Sequence, residues 1–138
     1  MDEKNIFIAF DYGTRNIGIA VGQKITKSAT TLPPLIAKNI VPPWDKIGEL
    51  IKSWHPHALI VGMPHTADGS DLKVTKLAKN FIRELEERFK LPVYEIEEHL
   101  TTKAARTEIF DRGGYKALQN KSIDSEAAKI ILEDWMNN

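Results

Sequence analysis

The hydrophobic pattern of the first 22 residues predicts two strands joined by a short polar turn. Ile6 to Phe10 is apolar at every position, which is typical of a strand covered on both faces. Ile17 to Val21 is a second apolar run, and the turn between the two begins with Asp11. Gly13 permits the turn, and Gly18 leaves a gap where a backbone or a ligand could approach. The sequence therefore predicts a β-hairpin with a carboxylate at the end of a buried strand.

The rest of the chain alternates between strand and helix patterns. Short apolar runs predict strands over 28–32, 58–62 and 93–96. Apolar residues at helical spacing predict helices over 44–54, 102–112 and 123–136, and a further helix that Ser70 caps and that extends to Phe89. This order predicts an α/β fold with a mixed five-stranded sheet, in which an antiparallel three-strand meander is followed by parallel strands and helices flank the sheet.

Composition narrows the class of protein without identifying a partner. A chain of 138 residues fits one domain, which we expect to span residues 1–138. The chain contains no cysteine, which excludes disulfides, thiolate zinc sites and cysteine nucleophiles. Lys and Arg balance Asp and Glu at 19 each, so net charge gives no indication of nucleic-acid binding. No signal peptide or membrane-spanning pattern is visible, and we expect a cytoplasmic protein.

Carboxylates at three separate points in the sequence are candidates for one site. Asp11 ends the first strand, Glu97 and Glu98 follow the last strand, and Asp124 begins the final helix. If the first and last strands are close, these acids converge on one edge of the sheet. A cluster of carboxylate oxygens suits Mg²⁺ or Mn²⁺, and a pair of such ions can promote phosphodiester hydrolysis. The alternatives are that Asp11 only stabilises the turn and that Asp124 only complements the helix dipole.

Four segments resemble the motifs of the YqgF family of ribonuclease H-like proteins. They are residues 11–21, residues 60–70, Glu98 with residues 100–102, and Asp124 with Ala127 and Ala128. The resemblance implies a ribonuclease H-like fold and a nuclease site in which Asp11, Glu98 and Asp124 bind the divalent metal. It also implies one of two functions, a Holliday-junction resolvase or a nuclease that matures the 5′ end of precursor 16S ribosomal RNA.

Two positions depart from the family pattern, and both concern substrate contacts. The third motif usually has arginine where this chain has His99, so a permanent cation is replaced by an imidazole that titrates. His65 stands where the family more often has an apolar residue. We interpret both histidines as residues at the rim of the predicted metal site. His65 and His99 could also contact phosphate or act as a general acid, and His99 is included among the nucleic-acid-binding candidates. Arg15, Lys116 and Lys121, which lie in loops that could border the acids, are the better candidates for phosphate contacts.

Two other classes of protein are also compatible with these residues. A phosphotransferase of the actin and hexokinase type also begins with an Asp-x-Gly hairpin, but it needs two such domains. A binding module that retained the fold, with a ribosomal or transcription protein as partner, would explain the zero net charge but not the retained acids. Between precursor rRNA and branched DNA as substrate, the resemblance favours RNA. No exposed apolar stripe predicts a dimer interface, and we expect a monomer or a weak dimer.

Overall fold

The computed structural model describes residues 5–63, 72–97 and 123–137. The chain forms five strands and three helices within these ranges. The strands are β1 (Ile6–Asp11), β2 (Asn16–Gln23), β3 (Ser28–Ile36), β4 (Ala58–Met63) and β5 (Val93–Glu97). The helices are α1 (Trp44–Trp54), α2 (Leu72–Phe89) and α3 (Ile123–Met136). The helix predicted over 102–112 lies outside the described residues.

The five strands form one mixed sheet in the order β3-β2-β1-β4-β5. β2 is antiparallel to both β1 and β3, whereas β4 is parallel to β1 and β5 is parallel to β4. The predicted meander followed by parallel strands is therefore confirmed. Because β1, β4 and β5 run in the same direction, their carboxyl ends lie at one edge of the sheet, which we call the carboxyl edge.

A helical layer covers each face of the sheet. Alternate residues of β1 enter different cores, since successive side chains of a strand point to opposite faces. Ile8 and Phe10 belong to the larger core, which includes residues of α1 and α2. Phe7 and Ala9 belong to a second core, with residues of α3. The uninterrupted apolar run of β1 is explained by burial on both faces.

Strand β3 is longer than the sequence pattern predicted. It continues to Ile36 through Pro33 and Pro34, although proline cannot donate a hydrogen bond to a neighbouring strand. β3 lies at the edge of the sheet, where one side of a strand needs no partner. The prolines also fall at an irregularity in the pairing, because Leu35 pairs with Ile17 whereas Leu32 pairs with Ile19.

The described helices have the lengths and compositions of helices that pack against a sheet. None of them is long and apolar enough to cross a membrane.

Candidate metal and nucleic-acid site

Asp11 is buried at the carboxyl edge of the sheet, on the face that α3 covers. It is the last residue of β1, and only 5% of its surface is exposed. Phe7 and Ala9 pack in the core that contains α3, and the period of two along a strand assigns Asp11 to the same face. A carboxylate so little exposed to water needs polar or cationic partners, and Asp11 does interact with other groups. The structure therefore confirms that this acid ends a buried strand.

Two glycines flank Asp11 on the neighbouring strands. Asp11 pairs with Gly18 of β2 on one side and with Gly62 of β4 on the other. Residues paired across strands project to the same face of a sheet, so neither neighbour of Asp11 has a side chain on the α3 face. No side chain of β2 or β4 therefore stands directly beside the carboxylate on that face. The sequence predicted a gap at Gly18, but it did not predict that Gly62 lies opposite on the other side.

The hydroxyl of Ser125 fixes the beginning of α3 against the sheet. Its Oγ accepts a hydrogen bond from the amide nitrogen of Ile19 at 3.2 Å and donates one to the carbonyl oxygen of Leu32 at 2.7 Å. The hydroxyl thus bridges β2 and β3 at their pairing irregularity. Ile19 pairs in turn with Phe10, the residue before Asp11. The start of α3, which includes Asp124, is consequently held beside the end of β1.

Replacing Ser125 with alanine should destabilise the protein by about 1–3 kcal/mol, because two backbone groups of the sheet lose a buried partner. Ser125 is 1% exposed, so water cannot easily replace the hydroxyl. The free energy of unfolding from urea denaturation measures this change. Ser28→Ala is the matched control, since the Ser28 hydroxyl is exposed and bonds only to Thr26 among its described contacts, and its cost should stay within about 0.5 kcal/mol. Equal stability of the two variants would show that Ser125 does not fix the helix.

The predicted site residues differ in what the structure shows of them. Asp124 lies in the first turn of α3. Glu98, His99, Lys116, Lys121 and His65 lie outside the described residues. Within the described ranges, no group of three or more potential ligands could hold a metal ion. The three-acid site therefore stays a prediction, of which the structure describes the position of Asp11 and the backbone position of Asp124.

Arg15 is exposed in the turn between β1 and β2, close in sequence to Asp11. Its carbonyl oxygen accepts a hydrogen bond from the amide of Ala37 at 2.8 Å, so the segment that follows β3 lies against this turn. Lys38 is exposed in that segment and was not singled out by the sequence. Lys38 is far from Asp11 in sequence, whereas in the structure it directly follows Ala37, the residue whose amide bonds to Arg15. Both cations are available at this edge for phosphate contacts.

Comparison with known proteins gives consistent matches in sequence. A family model described as RuvX: Holliday junction resolvase matches residues 5–138. A relative from Actinobacillus pleuropneumoniae serotype 5b (strain L20), named "Putative pre-16S rRNA nuclease", is 50% identical over 128 residues, which cover 93% of each chain. A relative of the same name from Legionella pneumophila (strain Paris) is 41% identical over 133 residues and 96% of each chain.

Solved structures match the fold at much lower sequence identity. RuvC from T. thermophilus, in complex with a Holliday junction substrate, has a TM-score of 0.58 and 16% identity, with coverage of 95% of this chain and 92% of RuvC. The Fowlpox virus Holliday junction resolvase has a TM-score of 0.51 and 13% identity, with coverage of 96% and 97%. These neighbours confirm the predicted ribonuclease H-like fold.

Proposed function

Since this chain belongs to the RuvX family, which is the YqgF family identified from the sequence motifs, we propose that it is a divalent-metal-dependent nuclease that processes the 5′ end of precursor 16S ribosomal RNA. The observation that carries this proposal is the position of Asp11. A buried carboxylate at the carboxyl edge, flanked by Gly18 and Gly62, is suited to hold a cation that must also reach a bulky substrate. We propose that the reaction takes place in the cytoplasm.

The donor set fits Mg²⁺ or Mn²⁺. Both ions prefer oxygen ligands and take part of their coordination shell from water or substrate phosphate. Asp11, Glu98 and Asp124 would supply carboxylate oxygens, and the side-chain-free positions beside Asp11 would leave the substrate side open. When bound, the metal would polarise the phosphodiester and lower the pKa of the attacking water. A hydrophobic core alone would not account for an acid at the buried position 11, because an apolar residue there would avoid the desolvation cost.

Cationic side chains would hold the nucleic-acid backbone across this edge. Arg15 is exposed in the turn that follows Asp11, and its guanidinium can bind phosphate oxygens in a bidentate manner. We propose the same role for Lys116, Lys121 and His99, and we add Lys38 because it follows Ala37, whose amide bonds to the backbone of Arg15. These contacts would position the backbone without selecting a base.

The relatives favour RNA over branched DNA as the substrate. Those that align with nearly the whole chain at 41–50% identity are named as nucleases of precursor 16S rRNA. The second candidate is resolution of Holliday junctions, which the family description favours. A resolvase cuts symmetric strands and is expected to act as a two-fold dimer, whereas we propose a monomer or a weak dimer. A stable dimer in solution would favour the second candidate.

A direct comparison of substrates tests the proposal. The purified protein is incubated with a labelled RNA that contains the 5′ leader of precursor 16S rRNA, or with a four-way DNA junction, in Mg²⁺, in Mn²⁺ or in EDTA. We expect metal-dependent cleavage of the RNA at a defined position and slower or no cleavage of the junction. Binding should weaken as salt concentration rises, because phosphate contacts release counterions.

Two outcomes would contradict the proposal. Cleavage of the four-way DNA junction alone would indicate a Holliday-junction resolvase. A folded protein that cleaves neither substrate in any metal would indicate a binding module instead of a nuclease.

A further inference from the structure

A cavity of about 270 Å³ opens near Asp11 on the opposite face of the sheet. Tyr12, which follows Asp11, lines it together with the beginning of α1 and one side of α2. The turn formed by residues 38–41 supplies part of its rim. A volume slightly below the ~300–1,000 Å³ of pockets for drug-sized ligands is suited to one planar ring system. We call this cavity the base pocket, and define it by Tyr12, Ile40, Trp44, Asn80, Glu84 and Arg88.

We propose that the base pocket binds one unpaired nucleobase of the nucleic acid that is cleaved at Asp11. This inference rests on the proposed nuclease function for the position of the cleaved bond, but the pocket itself is argued from its own contacts.

Three aromatic rings and four aliphatic side chains form the apolar part of the pocket. The ring of Trp44 stacks on Phe81 with centroids 5.5 Å apart and an interplanar angle of 27°. The ring of Tyr12 lies 5.1 Å from that of Phe81. The guanidinium of Arg88 lies over Trp44, 4.4 Å from the ring centroid. Phe81 and Tyr12 are 2% and 6% exposed, so a base in the pocket would stack on Trp44 or on the guanidinium of Arg88.

Polar groups of α2 also line the pocket. Oε1 of Glu84 accepts a hydrogen bond from Nε of Arg88 at 3.1 Å and pairs with its Nη2 at 3.0 Å. Oδ1 of Asn80 accepts from Arg83, which leaves the Asn80 amide nitrogen as the group that can donate. A carboxylate accepts several hydrogen bonds, so Glu84 can accept from a base while it holds Arg88. The edge of every base combines donors and acceptors, and the pocket offers both.

The hydroxyl of Tyr12 adds a further polar group. Burial raises the pKa of Tyr12 above its usual value of 10.0, since desolvation disfavours the phenolate. The hydroxyl can both donate and accept a hydrogen bond.

Asp11 and Tyr12 link the proposed metal site to the base pocket over a short distance. They are consecutive residues, with Cα atoms about 3.8 Å apart, and they face opposite sides of the sheet. Tyr12 belongs to the core with α1 and α2, whereas Asp11 faces α3. A nucleotide that crosses the carboxyl edge can thus place its phosphate near Asp11 and its base, or that of a neighbouring nucleotide, in the base pocket.

The backbone at Ile40 is unusual in a way that ligand binding would explain. Ile40 has φ of 70° and Asn39 has φ of 51°, in a turn closed by two hydrogen bonds between Lys38 and Val41. Positive φ is strained for a β-branched residue, and glycine would be favoured there on conformational grounds. Ile40 is nevertheless present, and 42% of it is exposed on the rim of the pocket. Such strain is commonly retained where a side chain contacts a ligand.

Fluorescence of Trp44 tests the pocket without metal or cleavage. The chain has three tryptophans, so Trp54→Phe together with Trp135→Phe leaves Trp44 as the only one. The probes are the four ribonucleoside monophosphates, and ribose 5-phosphate is the control that lacks a base. We expect saturable quenching by the nucleotides with an affinity about tenfold or more above that of ribose 5-phosphate, as expected for one stacked base. Equal responses to nucleotides and ribose 5-phosphate would overturn the proposal.

Ile40→Gly separates ligand binding from stability. The substitution removes the strained side chain, so we expect an unchanged or higher melting temperature together with a weaker affinity for the nucleotides. An unchanged affinity for the nucleotides would show that the rim does not contact a base and would contradict the proposal.

A cleavage assay distinguishes failure of this inference from failure of the proposed function. The unmodified protein should cleave an RNA with an abasic residue next to the mapped cut with a lower kcat/KM than the intact RNA. The decrease in kcat/KM should be smaller for Ile40→Gly. Metal-dependent cleavage without base-specific quenching would contradict base binding by the pocket and would leave the proposed nuclease function intact. Base-specific quenching by a protein that cleaves no nucleic acid would overturn the proposed function and the placement of the pocket beside a cleaved bond.

Discussion

Asp11→Asn should reduce metal-dependent phosphodiester cleavage by about 10³-fold or more while the fold stays intact. Asparagine has nearly the same shape as aspartate but lacks the charge that holds a divalent cation. A metal at the reacting phosphate contributes several kcal/mol to the transition state, and about 4 kcal/mol corresponds to a factor of about 10³ in rate. The measurement is kcat/KM on the RNA leader at saturating Mn²⁺, with Mn²⁺ affinity from titration calorimetry.

The control for this prediction is Asp134→Asn. It makes the same chemical change near the end of α3, on an exposed residue that the helix carries away from the carboxyl edge. We expect cleavage by this variant within about twofold of the unmodified protein, since surface changes away from a site have small effects. If Asp11→Asn and Asp134→Asn cleave equally well, Asp11 does not belong to the metal site.

Gly13→Ala should destabilise the protein by about 1–3 kcal/mol, the usual cost of forcing an extra methyl group into a filled position. A Cβ atom at residue 13 would lie 2.5 Å from the carbonyl oxygen of Asn16. Because the obstacle is backbone, the turn itself must move. That turn follows Asp11 directly, so we also expect weaker Mn²⁺ binding.

Gly48→Ala is the matched control, and its expected effect has the opposite sign. Gly48 lies within α1, and a Cβ there would meet Phe89 Cε1 at 3.6 Å, an ordinary contact. Alanine should stabilise this helix by about 0.5–1 kcal/mol. Urea denaturation of both variants measures the difference. A Gly13→Ala protein as stable as Gly48→Ala would show that the turn has room that the structure does not indicate.

Local pattern was sufficient to predict most elements of the fold. The predicted bounds of α1 and α3 agree with the structure, since their apolar residues recur at helical spacing between polar ends. β3 was predicted too short because Pro33 normally ends a strand. The rule does not apply where a strand lies at the edge of a sheet and its pairing is irregular, and both conditions depend on the neighbouring strand.

The site was less accessible to sequence reasoning because its neighbours are distant in the chain. Asp11 was identified from its position after a buried run, but nothing local indicates that Gly62 will pair with it across a parallel ladder. Ser125 presents the same difficulty, because its bonds are to β2 and β3 while its sequence context indicates only a helix start. The predicted roles of Glu98 and Asp124 come from their positions beside predicted elements and from the family resemblance, and they stay predictions.

The bridge made by Ser125 has a consequence for the order in which the protein folds. Its hydroxyl meets Ile19 across a sequence separation of 106 residues, so most of the chain must be synthesised before this bond can form. Chains generally fold from the N-terminus during synthesis, and contacts of such long range are slow to form. Until α3 docks, the amide of Ile19 and the carbonyl of Leu32 must be hydrated at the gap between β2 and β3. We therefore expect the nascent meander to stay open beside Asp11, so that nuclease activity is acquired only when the final helix has left the ribosome.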